Sequence, residues 1–99
     1  MTDRELLELA AKAAGEVRGE WIGNAAYFDG VLSRWNPLTD DGAALRLAVK
    51  LLFEIDMGRG CIAIRHSTGI KILEAFNHDP YAAIRRAIVR AAAEIGRKL

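Results

Sequence analysis

Apolar residues recur at helical spacing in three stretches of the chain. This pattern predicts helix one over residues 3–14, helix two over residues 40–52 and helix three over residues 80–96. The apolar stripe predicted for helix two consists of Leu45, Ala48, Val49 and Leu52. The stripe predicted for helix three consists of Ile84, Ile88, Ala91 and Ile95. Arginines occupy much of the opposite face of helix three, which predicts a solvent-facing basic surface there.

A capping signal precedes each predicted helix. Thr2 and Glu5 have the spacing of a capping box, in which each side chain accepts a hydrogen bond from a free backbone donor. Thr39 is the predicted N-cap of helix two. Asp79 is the predicted N-cap of helix three, and Pro80 follows at the first helical position, where its missing N–H costs nothing.

The segments between the helices are β-prone. Residues 16–35 combine aromatic and β-branched residues with glycines, which predicts a β-hairpin turning near residues 23–24, with residues 29–30 as a second possible turn. Residues 53–57 and 61–66 are two further strands joined by a short glycine-containing turn, and residues 70–76 suggest another short strand. The resulting order is α-β-β-α-β-β(-β)-α.

These elements predict a single α+β domain over residues 1–99. Its three helices are expected to pack on one face of a small antiparallel sheet of four to five strands. A length of 99 residues with 52% hydrophobic and 27% charged residues is typical of one globular core. The single cysteine excludes an internal disulfide, and the chain shows neither a signal peptide nor a long apolar run, so we expect a cytoplasmic protein without membrane insertion.

Catalytic and metal-binding motifs are absent from the sequence. It contains no nucleophile triad, phosphate-binding loop, dinucleotide fingerprint or zinc spacing. His66 and His78 are the only histidines, and Cys61 is expected to be a small core residue. We therefore expect no catalytic residue, no metal and no cofactor.

Aromatic and basic residues offer a candidate ligand site. Trp21 and Trp35 could stack on a base, and Arg34 and Arg65 could pair with a phosphate. His66 follows Arg65 directly and completes the predicted ligand-binding set. The alternative is that these aromatics fill the core between sheet and helices.

The basic face of helix three offers a candidate partner-binding surface. It comprises Arg85, Arg86 and Arg90, with Val89 as an apolar interruption of the charged face. An apolar residue on such a face suggests that a partner or a second copy covers it, so a homodimer is one expectation. The alternative is a solvated face without a partner.

Three blocks of the sequence carry a family resemblance. MTDRELLELAAKAAG, WNPLTDDGAALRLAVKL and DPYAAIRRAIVRAAAEIG together resemble a family of small uncharacterised bacteriophage proteins, related to the NinX-like proteins and grouped as a domain of unknown function. The resemblance implies a phage or prophage accessory protein in the cytoplasm of a bacterial host. It implies no reaction, and it suggests counter-defence as a role.

Three functions follow as hypotheses. The first is a non-catalytic phage protein that sequesters a small phosphorylated ligand, such as a nucleotide immune signal. The second is a protein-binding inhibitor of a host defence complex, similar to an anti-CRISPR protein. The third is a nucleic-acid-binding regulator, which the net charge of +1 disfavours because phosphate-driven affinity requires a concentrated positive field.

Overall fold

The computed structural model describes the backbone of residues 1–15, 19–22, 25–28 and 34–99, and the side chains of residues 1–15 and 35–99. Three helices and six strands make up this part of the chain, which confirms the α+β class. In chain order they are α1 (Asp3–Ala13), β1 (Gly19–Ile22), β2 (Ala25–Phe28), β3 (Arg34–Trp35), α2 (Asp41–Lys50), β4 (Glu54–Met57), β5 (Cys61–Arg65), β6 (Lys71–Ala75) and α3 (Pro80–Arg97).

The helix starts follow local side-chain chemistry. The capping box of α1 is present, since the Thr2 hydroxyl accepts from Glu5 N–H and the Glu5 carboxylate accepts from Thr2 N–H. Asp79 caps α3 by accepting from Ala82 N–H at 3.1 Å. The predicted cap of α2 is wrong by one residue: Asp40, not Thr39, is the N-cap.

The predicted single sheet of four to five strands is not confirmed. The strands form two separate three-stranded antiparallel sheets, with orders β1-β2-β3 and β4-β5-β6. Each sheet contains only strands that are consecutive in the chain. Pro37, which has no amide donor, lies two residues after the end of β3, and α2 then separates β3 from β4. The turns predicted at residues 23–24 and 29–30 lie outside the described residues.

Helix α3 lies at the centre of the described core. It packs against α1, α2, β5 and β6, so it is buried on most of its circumference. Its buried residues are mostly small: Ala83, Ala87, Ile88, Val89, Ala91, Ala92, Ala93 and Gly96. The predicted division of α3 into one apolar stripe and one solvated basic face is therefore wrong.

Helices α1 and α3 approach each other most closely at Gly96. A Cβ atom placed on Gly96 would lie 1.9 Å from the Leu9 carbonyl oxygen, well inside any real contact. Alanines on both helices, including Ala10 and Ala92, are fully buried nearby in the core. Only glycine permits this backbone-to-backbone approach.

The buried face of α2 differs from the predicted stripe. Ala43, Ala44, Leu47 and Ala48 are buried, whereas Leu45 and Val49 are exposed. Leu52 lies beyond the helix in a left-handed conformation with φ 58°, and it is also exposed. The helix thus buries Leu47 together with three alanines and turns Leu45 and Val49 outward.

Helix α3 is the longest helix of the described residues, at 18 residues. No helix in the described part of the chain combines the length and the apolar character needed to cross a bilayer.

Gly96→Ala is predicted to lower stability by about 1 to 3 kcal/mol, because the new methyl group must push α1 away from α3. The higher helix propensity of alanine offsets at most about 1 kcal/mol of this loss. Urea unfolding of the variant and the wild type measures the change. Gly60→Ala is the matched control, since a Cβ atom there meets no atom within 4 Å; an equal loss in both variants would contradict the close approach.

The capping box predicts a pH dependence of stability. Hydrogen bonds from the backbone N–H and the hydroxyl of Thr2 lower the pKa of Glu5 below the usual value of a glutamate side chain. A folded-state pKa below the unfolded one stabilises the protein above the unfolded pKa, and that stability is lost as the pH falls through the folded pKa. Unfolding midpoints from neutral pH to about pH 3 should therefore fall less steeply in Glu5→Gln than in the wild type. This difference should shrink in a Thr2→Ala background; equal slopes for wild type and Glu5→Gln would contradict the assignment.

Candidate functional site

Three residues of the predicted ligand site belong to the first sheet. The strand register places Trp21 opposite Ala26, and Ala26 is in turn opposite Trp35 on its other side. Trp35 is half-buried and packs against the hydrophobic core. The side chains of Trp21 and Arg34 lie outside the described part of the structure, so their role remains a prediction.

Arg65 lies in the other sheet, where it pairs with carboxylates of the neighbouring strand. Its Nη1 atom is 3.2 Å from Asp56 Oδ2 and 3.6 Å from Glu54 Oε1. The strand register explains why Glu54 is near Arg65, since the two residues are directly opposite each other on β4 and β5. Its guanidinium therefore already faces two negative charges.

His66 stabilises the turn after β5. Its Nδ1 atom lies 2.8 Å from Thr68 Oγ1 and accepts a hydrogen bond from Thr68 N–H at 3.3 Å. The ring meets Phe53 edge-on, with the ring centroids 5.6 Å apart. The structure therefore brings Arg65 and His66 to one end of β5 and leaves Trp35 in a different sheet.

Arg85 connects α3 to the start of α2. Its Nε atom donates to the Leu38 carbonyl at 2.8 Å, and its Nη1 atom is 2.7 Å from Asp41 Oδ1. Only 18% of the Arg85 side chain is exposed. This arginine therefore links α3 to α2 within the chain and is largely shielded from solvent.

The other two arginines of the predicted partner surface also contact elements of the same chain. Arg86 pairs with Asp3 at the start of α1, with 3.1 Å between Nη2 and Oδ1. Arg90 pairs with Glu74 of β6 and donates to the Leu73 carbonyl at 3.3 Å. Together with Arg85, these residues join α3 to three different elements.

Val89 does not belong to an exposed face. Its side chain is completely buried in the core, with an exposure of 0%. The prediction that a partner covers Val89 is therefore wrong. Other elements of the same chain cover this side chain, because α3 packs against α1 and against strands β5 and β6. This removes the observation on which the predicted homodimer surface depended.

A cavity of about 430 Å³ lies near the start of α3. Its charged lining residues are already engaged. Asp3 pairs with Arg86, Glu74 pairs with Arg90, and Asp79 caps the helix. We assign no ligand to this cavity, although it is larger than the site described next.

An apolar groove of about 260 Å³ lies between α2, α3 and β4. We call it the α2–α3–β4 groove. Its lining residues are Asp41, Ala44, Leu45, Ile55, Tyr81, Ile84 and Ile88. Asp41 is the only charged residue among them, and it already pairs with Arg85.

Large apolar side chains border this groove without being covered. Leu45 is 59% exposed and Tyr81 is 68% exposed. Val49 lies one helical turn after Leu45 on α2 and is 65% exposed. Apolar residues gathered around a groove mark an interaction site more strongly than scattered ones do.

One sequence signal indicates this groove. Six of the ten residues of α2 are apolar, and together they cover a wider face of the helix than one buried stripe does. One stripe against a core requires about three or four apolar positions per two turns. The excess consists of Leu45 and Val49, which the sequence pattern alone assigns to the core.

Cys61 is exposed, so its predicted place in the core is wrong. Ile62 and Ile64 occupy the core face of β5, and the period of two along a strand turns Cys61 and Ala63 to the opposite face. On that face Ala63 is buried, whereas Cys61 at the start of the strand is exposed. Within the described ranges, no group of three or more His, Cys, Asp or Glu side chains is arranged to hold a metal ion.

Comparison with known proteins finds no matching family model, no matching curated protein and no matching solved structure. The resemblance to the NinX-like family therefore stays a prediction.

The two kinds of arginine on α3 should respond differently to substitution. Arg85→Met is predicted to lower stability by about 1 to 3 kcal/mol, since it leaves the half-buried Leu38 carbonyl without its donor. Arg97→Met is the control, because Arg97 is 55% exposed and, among the described residues, pairs with Glu94 one turn earlier; it should cost less than about 0.5 kcal/mol. Chemical denaturation measures both, and equal effects would contradict an internal role for Arg85.

Proposed function

We propose that this chain is a non-catalytic protein-binding module that acts by covering a surface of another protein. The α2–α3–β4 groove is its binding surface. The observation that carries the proposal is the exposure of Leu45 and Tyr81 in a groove whose one charged residue is already paired, with Val49 exposed one helical turn further along α2. Leaving such side chains in water costs roughly 25 cal/mol per Å² of apolar surface, which burial under a partner recovers.

The contacts of the basic residues favour this proposal over ligand sequestration. A phosphate clamp requires guanidinium groups that are free to pair with the ligand. Arg65 instead faces Asp56 and Glu54, and Trp35 packs against the core. Sequestration of a phosphorylated ligand would have to depend on Trp21 and Arg34.

The same reasoning disfavours a nucleic-acid regulator that uses α3. Phosphate contacts supply most of the affinity of such proteins. Arg85, Arg86 and Arg90 each pair with a carboxylate of this chain, which cancels much of the local positive field. We therefore place α3 in the core and not in a groove of nucleic acid.

The setting implied by the family resemblance gives the proposal a biological direction. In a phage or prophage context, a small protein-binding module of this kind would inhibit a complex of the bacterial host, with defence complexes as the foremost targets. This inhibitory role is part of the proposal and carries no enzymatic reaction.

A charge substitution in the groove tests the proposed function. The full chain, carrying Leu45→Lys and Val49→Lys, is compared with the wild type in affinity capture from bacterial lysate followed by quantitative mass spectrometry. We expect the wild type to retain a protein in stoichiometric amount and the double variant to lose it, because a buried unpaired ammonium group opposes binding.

The matched control is Leu73→Lys, which replaces another exposed leucine, on β6. It should retain the partner as the wild type does, and circular dichroism verifies that all three proteins are folded. Nucleotides retained by the wild type without any protein would contradict the proposal and support sequestration of a ligand. Protein capture that survives Leu45→Lys and Val49→Lys would also contradict it.

A further inference from the structure

Strand β4 is an edge of its sheet. Among the described residues it pairs only with β5. Gly58 N–H donates to the Cys61 carbonyl at 2.9 Å at the hairpin end of the ladder. Hydrogen-bonded and non-hydrogen-bonded pairs alternate along an antiparallel ladder, so the N–H and C=O groups of Ile55 and Met57 point away from β5. These groups are where a further strand would bind.

The inner face of β4 is apolar but uncovered. Ile55 is opposite Ile64 and Met57 is opposite Ile62, so all four side chains share one face of the sheet. Ile62 and Ile64 are buried, whereas Ile55 is 38% exposed and Met57 is 54% exposed. Helix α3 packs on β5 and β6, whereas β4, which belongs to the same sheet, lies beyond the strands that α3 covers.

The outer face of β4 is acidic. The side chains of Glu54 and Asp56 are 71% and 61% exposed. Arg65 is shared between these two carboxylates, which leaves an excess negative charge along the strand. A strand added to β4 would therefore meet apolar side chains on one face and carboxylates on the other.

A second copy of this chain does not complement this edge. Two copies of β4 related by a twofold axis would pair antiparallel. Two registers keep the apolar residues on one face with the greatest overlap. In one of them Glu54 of each copy is opposite Asp56 of the other copy, and in the other register the two Asp56 residues are opposite each other. Like charges directly opposite each other destabilise a strand pair.

We propose that the free edge of β4 binds an extended segment of another protein as an added antiparallel strand, with alternating apolar and basic residues. The apolar residues of the bound segment lie beside Ile55 and Met57, on the face of β4 that adjoins the α2–α3–β4 groove. Its basic residues pair with Glu54 and Asp56 on the other face. Backbone hydrogen bonds supply affinity, and the alternation supplies specificity. The inference rests on the proposed function and names the chemistry of its partner.

A synthetic peptide tests the inference directly. The probe is a fluorescein-labelled hexapeptide of alternating valine and lysine with blocked termini, titrated with the full-length protein and followed by fluorescence anisotropy. Saturable binding is expected, and the same peptide with glutamate in place of lysine should bind at least about tenfold more weakly because of like-charge repulsion. Equal binding of both peptides, or no binding of the lysine peptide, would overturn the proposal.

Backbone methylation distinguishes strand addition from general adhesion. A residue opposite Ile55 in an antiparallel pair shares its face, and its own N–H points toward β4. N-methylation of the valines should therefore abolish binding, and N-methylation of the lysines should leave it nearly unchanged. The opposite pattern, or no difference between the two peptides, would overturn antiparallel addition.

Two protein variants complete the test. Met57→Pro removes an N–H that points away from β5, a position where an edge strand tolerates proline, and it should weaken the lysine peptide at least about tenfold. Glu54→Gln with Asp56→Asn should weaken the lysine peptide and remove its preference over the glutamate peptide. Glu8→Gln with Glu94→Gln is the matched control on α1 and α3, and it should leave binding unchanged.

Failure of this inference is separable from failure of the proposed function. If the lysine peptide does not bind while Leu45→Lys and Val49→Lys still abolish protein capture, the groove stands and strand addition falls. If Met57→Pro binds the peptide as the wild type does, strand addition at β4 is wrong.

Discussion

The close approach of α1 and α3 at Gly96 is the constraint on which the other contacts depend. Because a Cβ atom there would overlap the Leu9 carbonyl, the two backbones meet almost directly. The surrounding alanines continue this contact along both helices. Small residues bring helices close but bury little area each, so the core depends on enclosing α3 from several sides.

The enclosure of α3 explains the positions of its arginines. In a helix that is buried on most sides, the charged ends of long side chains must find partners at the edges of the neighbouring elements. Arg85, Arg86 and Arg90 do so by extending past the packed surface to carboxylates of α2, α1 and β6. Each pair is partly exposed and individually worth about 1 kcal/mol or less, so these contacts orient the elements more than they stabilise them.

The same arrangement leaves one side of the molecule uncovered. Helix α3 reaches over β5 and β6 but leaves the inner face of β4 in contact with solvent. Helix α2 presents alanines to α3 and turns Leu45 and Val49 outward. The α2–α3–β4 groove and the free edge of β4 are therefore consequences of how the core is closed, and the two proposals concern one continuous surface.

The sequence by itself determined the features that depend on neighbouring residues. The ends of α1 and α3, their caps and the β4–β5 hairpin follow from residues within a few positions of one another. Hydrogen bonds between Thr2 and Glu5, or between Asp79 and Ala82, form wherever that local sequence becomes helical. Only the tertiary structure decided which apolar face of α2 is buried, that the strands divide into two sheets, and that Val89 is inside while Cys61 is outside. Periodicity shows that a face is apolar, but what covers that face depends on elements far away in the chain, which compete for the same limited core.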